Sequence, residues 1–511
     1  MEKPDQNREG SVKGLENQPS SPDLLSSYPV LLDSRRRHAE RQLVRKIDSR
    51  LMPPIIIICI MNYIDRTAVT AARLKGLEQD LGLDDIQYNI VLAVLYVSYF
   101  PAQIVSNMIL NRIARPSVYI GVCVVLWGLI STLSGVTHNF SGFVACRVFI
   151  GLPEAAFYPG MTYLLSRWYT RKELGFRGAM LYSGVLIANA FGSLMAAGIL
   201  SHLDGTLGIR AWRWFVIIPI HLGSVTMILG FVTIYLLPDF PHNTRWLSSA
   251  EKHLAQVRIS EDAGEADEDT ATDTPWSGFM LAVKDPKVSV MAVMACSLAL
   301  GLSFANFFPT LTETLGFGTT ISLLLAAPPW LLATALCFLN AWLADKTGER
   351  FFHIAVPWWG TIVGYIIGVT TVSIKARYFA MFLMTCGAIG IALILVWVSN
   401  VIPRPPAKRA AAIGIVNGFG NIGSLIGSFT WKAAWGPEYH ISMYINIGAL
   451  VLTSSLALLL RIMLIRQNNL LDSAGIDDSD ATRVRVEDAA RLEGISIQEA
   501  VERRRGFRYL Y

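Results

Sequence analysis

The chain has 511 residues, of which 52% are hydrophobic and 16% charged, and its mean hydropathy is +0.42. That is more apolar content than a soluble core of this length needs, so the composition describes a polytopic membrane protein. The formal net charge of +5 is small for the length and sits in tails and loops, which excludes nucleic acid as a partner and ties the basic residues to topology and lipid headgroups.

Residues 1–50 are polar and lack the charged, apolar and cleavage regions of a signal peptide. Arg35, Arg36, Arg37, Arg41, Arg45, Lys46 and Arg50 crowd before the first apolar run, which places this tail in the cytoplasm. That run, 51–72, carries Asp65 and Arg66, although each buried charge costs roughly 2.5–3.5 kcal/mol near the centre of a membrane helix. The twelve residues from Pro54 to Arg66 rise about 18 Å, past the midplane. A charge pair there points to a functional site; the alternative is an ion pair that only locks two helices.

Further apolar runs of membrane-crossing length follow at 86–108, 117–135, 140–165, 178–200 and 212–237, and again at 288–309, 321–344, 352–372, 378–402, 410–431 and 441–465. The expected fold is an all-α membrane protein with twelve transmembrane helices in two six-helix halves, 51–237 and 288–465. Alternate connections are basic, with Arg112 and Arg115, Arg167 to Arg177, Lys346 and Arg350, and Arg404 to Arg409. The positive-inside rule puts these, and both termini, in the cytoplasm. Residues 238–287 are soluble in character, with SEDAGEADEDTATD inside them, and are expected to form a solvated, flexible cytoplasmic linker. The tail 466–511 is also expected in the cytoplasm, with an amphipathic helix near its end. The six cysteines all fall within apolar runs and read as packing residues; no metal or cofactor motif occurs.

The connection after the second run reads Asn107-Met-Ile-Leu-Asn111-Arg112-Ile-Ala114-Arg115, and that after the eighth Ala341-Trp-Leu-Ala-Asp345-Lys346-Thr-Gly348-Glu349-Arg350. The pair resembles the loop signature of the major facilitator superfamily, intact in the second copy and altered in the first. The resemblance implies a conformational latch formed by Asp345, Lys346, Gly348 and Arg350, with Arg112 and Arg115 in the first copy. The Asp would sit near a neighbouring helix N-terminus. NYIDR in the first run and Arg147-Val-Phe-Ile-Gly-Leu-Pro-Glu154-Ala-Ala-Phe-Tyr-Pro159 in the fourth resemble the anion:cation symporter family. The segments around Tyr99, Trp397 and Lys408 are similar to its fungal allantoate and nicotinate permeases. What this implies is proton-linked uptake of a small organic anion across the plasma membrane by a monomer without a cofactor.

Arg147 and Glu154 lie seven apart, nearly on one helix face, and Pro153 and Pro159 loosen the backbone around the acid. With the first and fourth runs lining one cavity, as the resemblance implies, Asp65, Arg66, Arg147 and Glu154 converge. Protonation of Glu154, or of Asp65, would leave an Arg free to bind a carboxylate. Glu154 is the preferred proton site because Asp65 abuts Arg66. The second half has no such charge, so its share of the cavity is expected to be polar and aromatic: Asn306, Trp397 and Asn400 first, with Phe307, Ser399, Asn417 and Asn421. A proton antiporter exporting an anionic metabolite or drug fits the same pattern. An intramembrane enzyme would need a clustered nucleophile or metal set, and a nutrient sensor a large output domain; neither is evident.

Overall fold

The computed structural model describes residues 22–72, 85–137, 139–202, 211–264, 267–270, 273–474, 487, 490, 491 and 495–511, and among them every regular element is helical. Residues up to Asp48 form one compact unit and those from Ser49 a second. In the first unit the basic cluster lies on a helix, where Arg36 pairs with Glu40 one turn on at 3.0 Å.

The first half comprises α1 (Pro22–Ala72), whose later part is the first expected run, α2 (Asp85–Arg112), α3 (Pro116–Ser134), α4 (Phe140–Glu154), α5 (Tyr158–Trp168), α6 (Leu174–His202) and α7 (Ala211–Leu236). The linker contributes α8 (Ser249–Ala263) and α9 (Pro275–Val283). The second half comprises α10 (Pro286–Gly301), α11 (Phe308–Glu313), α12 (Thr319–Thr347), α13 (Phe351–Thr370), α14 (Ile374–Val401), α15 (Pro406–Gly427) and α16 (His440–Ala474), followed by α17 (Ile497–Arg505). Among the described residues eleven helical stretches are long and apolar enough to cross a membrane. The twelfth crossing is α7, whose side chains are described only from Gly223 on and whose Gly223–Leu236 part is apolar.

Two crossings expected as single helices are interrupted. The fourth breaks between α4 and α5, with Pro153 inside α4 and Pro159 in the first turn of α5. Each proline removes a backbone donor and crowds the preceding turn. The seventh breaks after Gly301, continues as a 3-10 turn over Ser303–Phe307 and resumes with Pro309 in the first turn of α11. Across the seam between the halves, α2 packs on α15 and α6 on α12 and α14. Small residues allow the first of these: a Cβ at Gly414 would stand 3.0 Å from the Gln103 carbonyl oxygen, and one at Gly418 3.0 Å from the Phe100 ring.

The linker is not the free joint that its composition suggested. Ser248 and Glu251 form a reciprocal cap at the start of α8, and Arg258 reaches Glu173 at 3.0 Å and the Trp168 carbonyl at 2.9 Å. The physical reason is charge balance. Basic residues gathered on one face of the bundle need counter-ions once they are buried, and the acids of the linker supply them. This face, with the linker and the connections at 113–115, 169–173, 348–350 and 402–405, is called the linker face below.

Candidate functional site

The centre of the first half is built from one turn of α1 and the end of α4. Asn62 and Arg66 are four residues apart and share a helix face, and both point at Glu154, which is 2% exposed. Glu154 Oε1 accepts from Asn62 Nδ2 at 2.5 Å and from Arg66 Nε at 2.7 Å, with Arg66 Nη2 at 2.5 Å. The guanidinium also lies over the rings of Tyr63 and Tyr99, 5.2 and 4.9 Å from their centroids. A buried carboxylate is tolerated because a charge-assisted fork and an amide satisfy it. The backbone of Asp65 is described, within α1, but its side chain lies outside the described residues.

Arg66 faces a central space between the halves, formed by two adjoining lobes of about 200 and 140 Å³ that share Tyr63, Arg66, Tyr182, Ile391 and Asn421. Arg147 lines the larger lobe with Asn306, its guanidinium 5.3 Å from the Phe143 ring centroid. Asn417 lines the smaller lobe, and Asn421 donates at 3.0 Å to Gln103 Oε1 across the seam. Trp397 and Asn400 are placed elsewhere. Trp397 is fully buried and donates its Nε1 to the Leu510 carbonyl at 3.2 Å. Asn400 is also fully buried, and its amide finds no hydrogen-bond partner among the described residues. Phe307 stacks on Trp431, and Ser399 turns back to the Leu395 carbonyl. The sequence reading missed Asn62 and the ring of tyrosines, Tyr63, Tyr96, Tyr99, Tyr158 and Tyr182, that walls the cavity. The spacing of Asn62 to Arg66, and of Tyr96 to Tyr99, was the available signal.

Polar side-chain contacts between the halves run from the cavity, where Asn421 meets Gln103, past Asn107, which donates to the Ala410 carbonyl at 3.1 Å, to the linker face. Asp345, near the end of α12, accepts from the backbone of Gly175 at 3.1 Å and Phe176 at 2.6 Å, in the first turn of α6. A carboxylate there meets both unpaired amides and the positive end of the helix dipole. Gly348 ends α12 with φ of 72°, turning the chain so that fully buried Arg350 reaches Asp345 at 2.8 Å and the Arg171 carbonyl at 2.7 Å. Gly175 has no room for a Cβ, which would overlap Asp345 Oδ1. Lys346 is exposed and lies over the Trp342 ring.

The first copy uses different atoms. Arg112 and Arg115 are exposed and form no ion pair among the described residues. Asn111 instead accepts from the Tyr163 hydroxyl and donates to Asp269 at 2.6 Å, while Asp269 accepts from the Ala407 amide at 2.9 Å. An aspartate at 111 would face Asp269 with like charge, so the amide suits this position. Asp267 completes the seam, 2.9 Å from Arg167 of the first half and 2.7 Å from Arg409 of the second. Burial pushes the Asp269 carboxyl above its ordinary value.

Residues 55–428 match the Major Facilitator Superfamily family model. The chain is 34% identical over 446 residues to the MFS-type transporter cnsO of Penicillium expansum, covering 84% of each chain. It is 28% identical over 410 residues to the major facilitator-type transporter hxnP of Emericella nidulans, covering 78% of this chain and 81% of that one. A crystal structure of a bacterial homolog of the human lysosomal transporter Spinster, inward-facing and occupied, superposes with a TM-score of 0.58 at 17% identity, covering 82% of this chain and 98% of that one. This last likeness bears on the fold, the first two on descent. With two interrupted-helix halves meeting at a charged central cavity and bonded to each other at the linker face, the chain is a membrane transporter that belongs to the Major Facilitator Superfamily.

Proposed function

We propose that this transporter is a proton-coupled symporter of a small organic anion, a monocarboxylate of the size of nicotinate, working by alternating access in the plasma membrane with both termini in the cytoplasm. The observation that carries this reading is the buried Arg66–Glu154 pair on the cavity wall, with Arg147 lining the same space. While Glu154 is ionised it holds Arg66. Once Glu154 takes a proton, Arg66 loses its counter-ion and becomes a fork for a carboxylate, so proton and anion each lower the cost of binding the other. The tyrosine walls suit a flat, partly aromatic anion. Closure at the linker face corresponds, in this orientation, to a state shut to the cytoplasm.

The order of motifs in the first half supports placement in the anion:cation symporter family and its fungal allantoate and nicotinate branch. The test is Glu154→Gln, which keeps a neutral side chain of the same shape. In proteoliposomes the variant should still exchange labelled for unlabelled substrate and should fail to concentrate it under an inward proton gradient. A variant that still concentrates substrate when the outside is acidified rules out Glu154 as the coupling group, and loss of exchange as well reduces it to a structural ion-pair partner. Proton antiport would appear in the same assay as accumulation driven by the opposite gradient.

A further inference from the structure

Residues 507–511, Phe-Arg-Tyr-Leu-Tyr, are seated in the linker face as a peptide ligand would be. Their main chain is held by groups from several elements. The Arg508 carbonyl accepts from Arg171 Nη1 at 2.7 Å, and Tyr509 exchanges two bonds with the Asn468 amide, at 2.9 and 3.0 Å. The Leu510 carbonyl accepts from Trp397 at 3.2 Å, and the Tyr511 carbonyl from the Arg350 backbone at 2.9 Å. Phe507 is 3% exposed, with the Arg171 guanidinium 4.3 Å and that of Arg404 4.8 Å from its ring centroid.

The distribution of these partners between the halves gives the segment its significance. Asn468, Trp397, Arg350 and Arg404 belong to the second half, whereas Arg171 lies in the connection between α5 and α6 of the first. Phe507 and the Arg508 carbonyl therefore tie the segment across the seam through Arg171, whose backbone carbonyl accepts from Arg350. If the halves part at the linker face, Arg171 moves away from Arg350 and Arg404, and the segment cannot stay bonded to both sides.

We propose that residues 507–511 form an internal strap that favours the state closed at the linker face and must let go of Arg171, or leave its groove, before that face opens. Its hydrogen bonds to Asn468, Trp397 and Arg350 of the second half use its main-chain atoms, so those survive changes of its side chains. Phe507, wedged between two guanidinium groups, is the side chain that holds the crossing point. The strap is an element of conformational balance, separate from the cavity that binds substrate.

The experiment is a distance measurement by pulsed electron resonance on the otherwise complete protein in nanodiscs, without substrate, with spin labels at Ala114→Cys in the first half and Lys346→Cys in the second. Both positions are exposed on the linker face. Deleting 507–511 should raise the long-distance population at least about threefold, as loss of a state-selective contact requires, and Phe507→Ala should shift it in the same direction. Arg508→Ala, whose side chain bonds Asp472 and neighbouring carbonyls instead of the seam, should leave the distribution as it was. The free peptide Phe-Arg-Tyr-Leu-Tyr, added to the truncated protein, should restore the short distance. A distance distribution unchanged by Phe507→Ala and by the deletion overturns the proposal, and Phe507→Ala alone decides if the truncated chain does not fold. Because the readout needs neither substrate nor a proton gradient, its failure would leave the symport reading standing.

Discussion

Removing Arg66 should have two separable effects, because its guanidinium serves Glu154 in this state and is proposed to serve the substrate in another. Arg66→Ala strands a carboxylate that is 2% exposed, a change that typically costs about 3–5 kcal/mol, so loss of transport in that variant alone is ambiguous. The double variant Arg66→Ala with Glu154→Gln removes the stranded charge. It should recover most of the lost thermal stability while remaining unable to bind substrate, as read by a melting curve and a scintillation binding assay on the same sample. Arg66→Lys should bind weakly, since a point charge replaces the fork. Unchanged affinity in the double variant would transfer the anchor role to Arg147. At this scale the charged residues were legible in the sequence because charge inside an apolar run is costly, and costly residues stand out. Trp397 and Asn400 were not distinguishable from cavity residues by type, since only packing decides that the indole turns to Leu510. The tyrosine wall escaped notice because tyrosine is cheap in an apolar helix once its hydroxyl has a partner.

Interrupted helices, linker and the bonded seam form the next scale. The break in the fourth crossing was foreshadowed by Pro153 and Pro159; that in the seventh was not, since Pro309 stood at the end of the run, nor was the fastening of the linker, because composition records charge and not the positions of counter-charges. Asp267 and Asp269 fasten the same seam by different chemistry, and their amide variants should differ accordingly. Asp267→Asn leaves Arg167 and Arg409, both buried, without their shared carboxylate and should weaken closure by about 3 kcal/mol or more. Asp269→Asn exchanges one acceptor among neutral amide partners and should cost about 1 kcal/mol. Reaction of an Ala410→Cys thiol, buried at the seam, with an impermeant maleimide measures both, and equal rates for the two variants would refute the distinction. Acid should act on Asp269 in a defined direction. Burial raises its carboxyl from an ordinary value of 3.8 in the closed seam, while opening would return it to water and to that value. The closed state thus holds the proton more tightly, so acidification through the window just above 3.8 favours closure. That gain is absent at neutral pH, where both states are ionised; with each maleimide rate divided by that of an exposed reference thiol, which removes the common loss of thiolate, the rate should fall less on acidification in Asp269→Asn than in wild type, the remainder belonging to Asp345, which burial also raises.

For the whole molecule, the alternation of basic connections predicts that the linker face is cytoplasmic. A protease site inserted after Ala263, or a tag at either end of the chain, should be reached only in permeabilised cells; cleavage in intact cells would invert the orientation. The fold itself was legible at this scale, since twelve apolar runs in two sets of six leave few alternatives, whereas the conformational state was not, because either state buries the same runs. The Arg66–Glu154 pair also has an electrical consequence. If one proton neutralises Glu154 and one monovalent anion then neutralises Arg66, the loaded site carries the same net charge as the resting one, and the cycle moves no net charge through the membrane field. Each uncompensated charge would instead feel about 2.3 kcal/mol per 100 mV. Uptake into proteoliposomes clamped with potassium and valinomycin should therefore follow the pH difference and ignore the voltage. A rate that climbs as the interior is made negative would mean that a second proton travels with each anion.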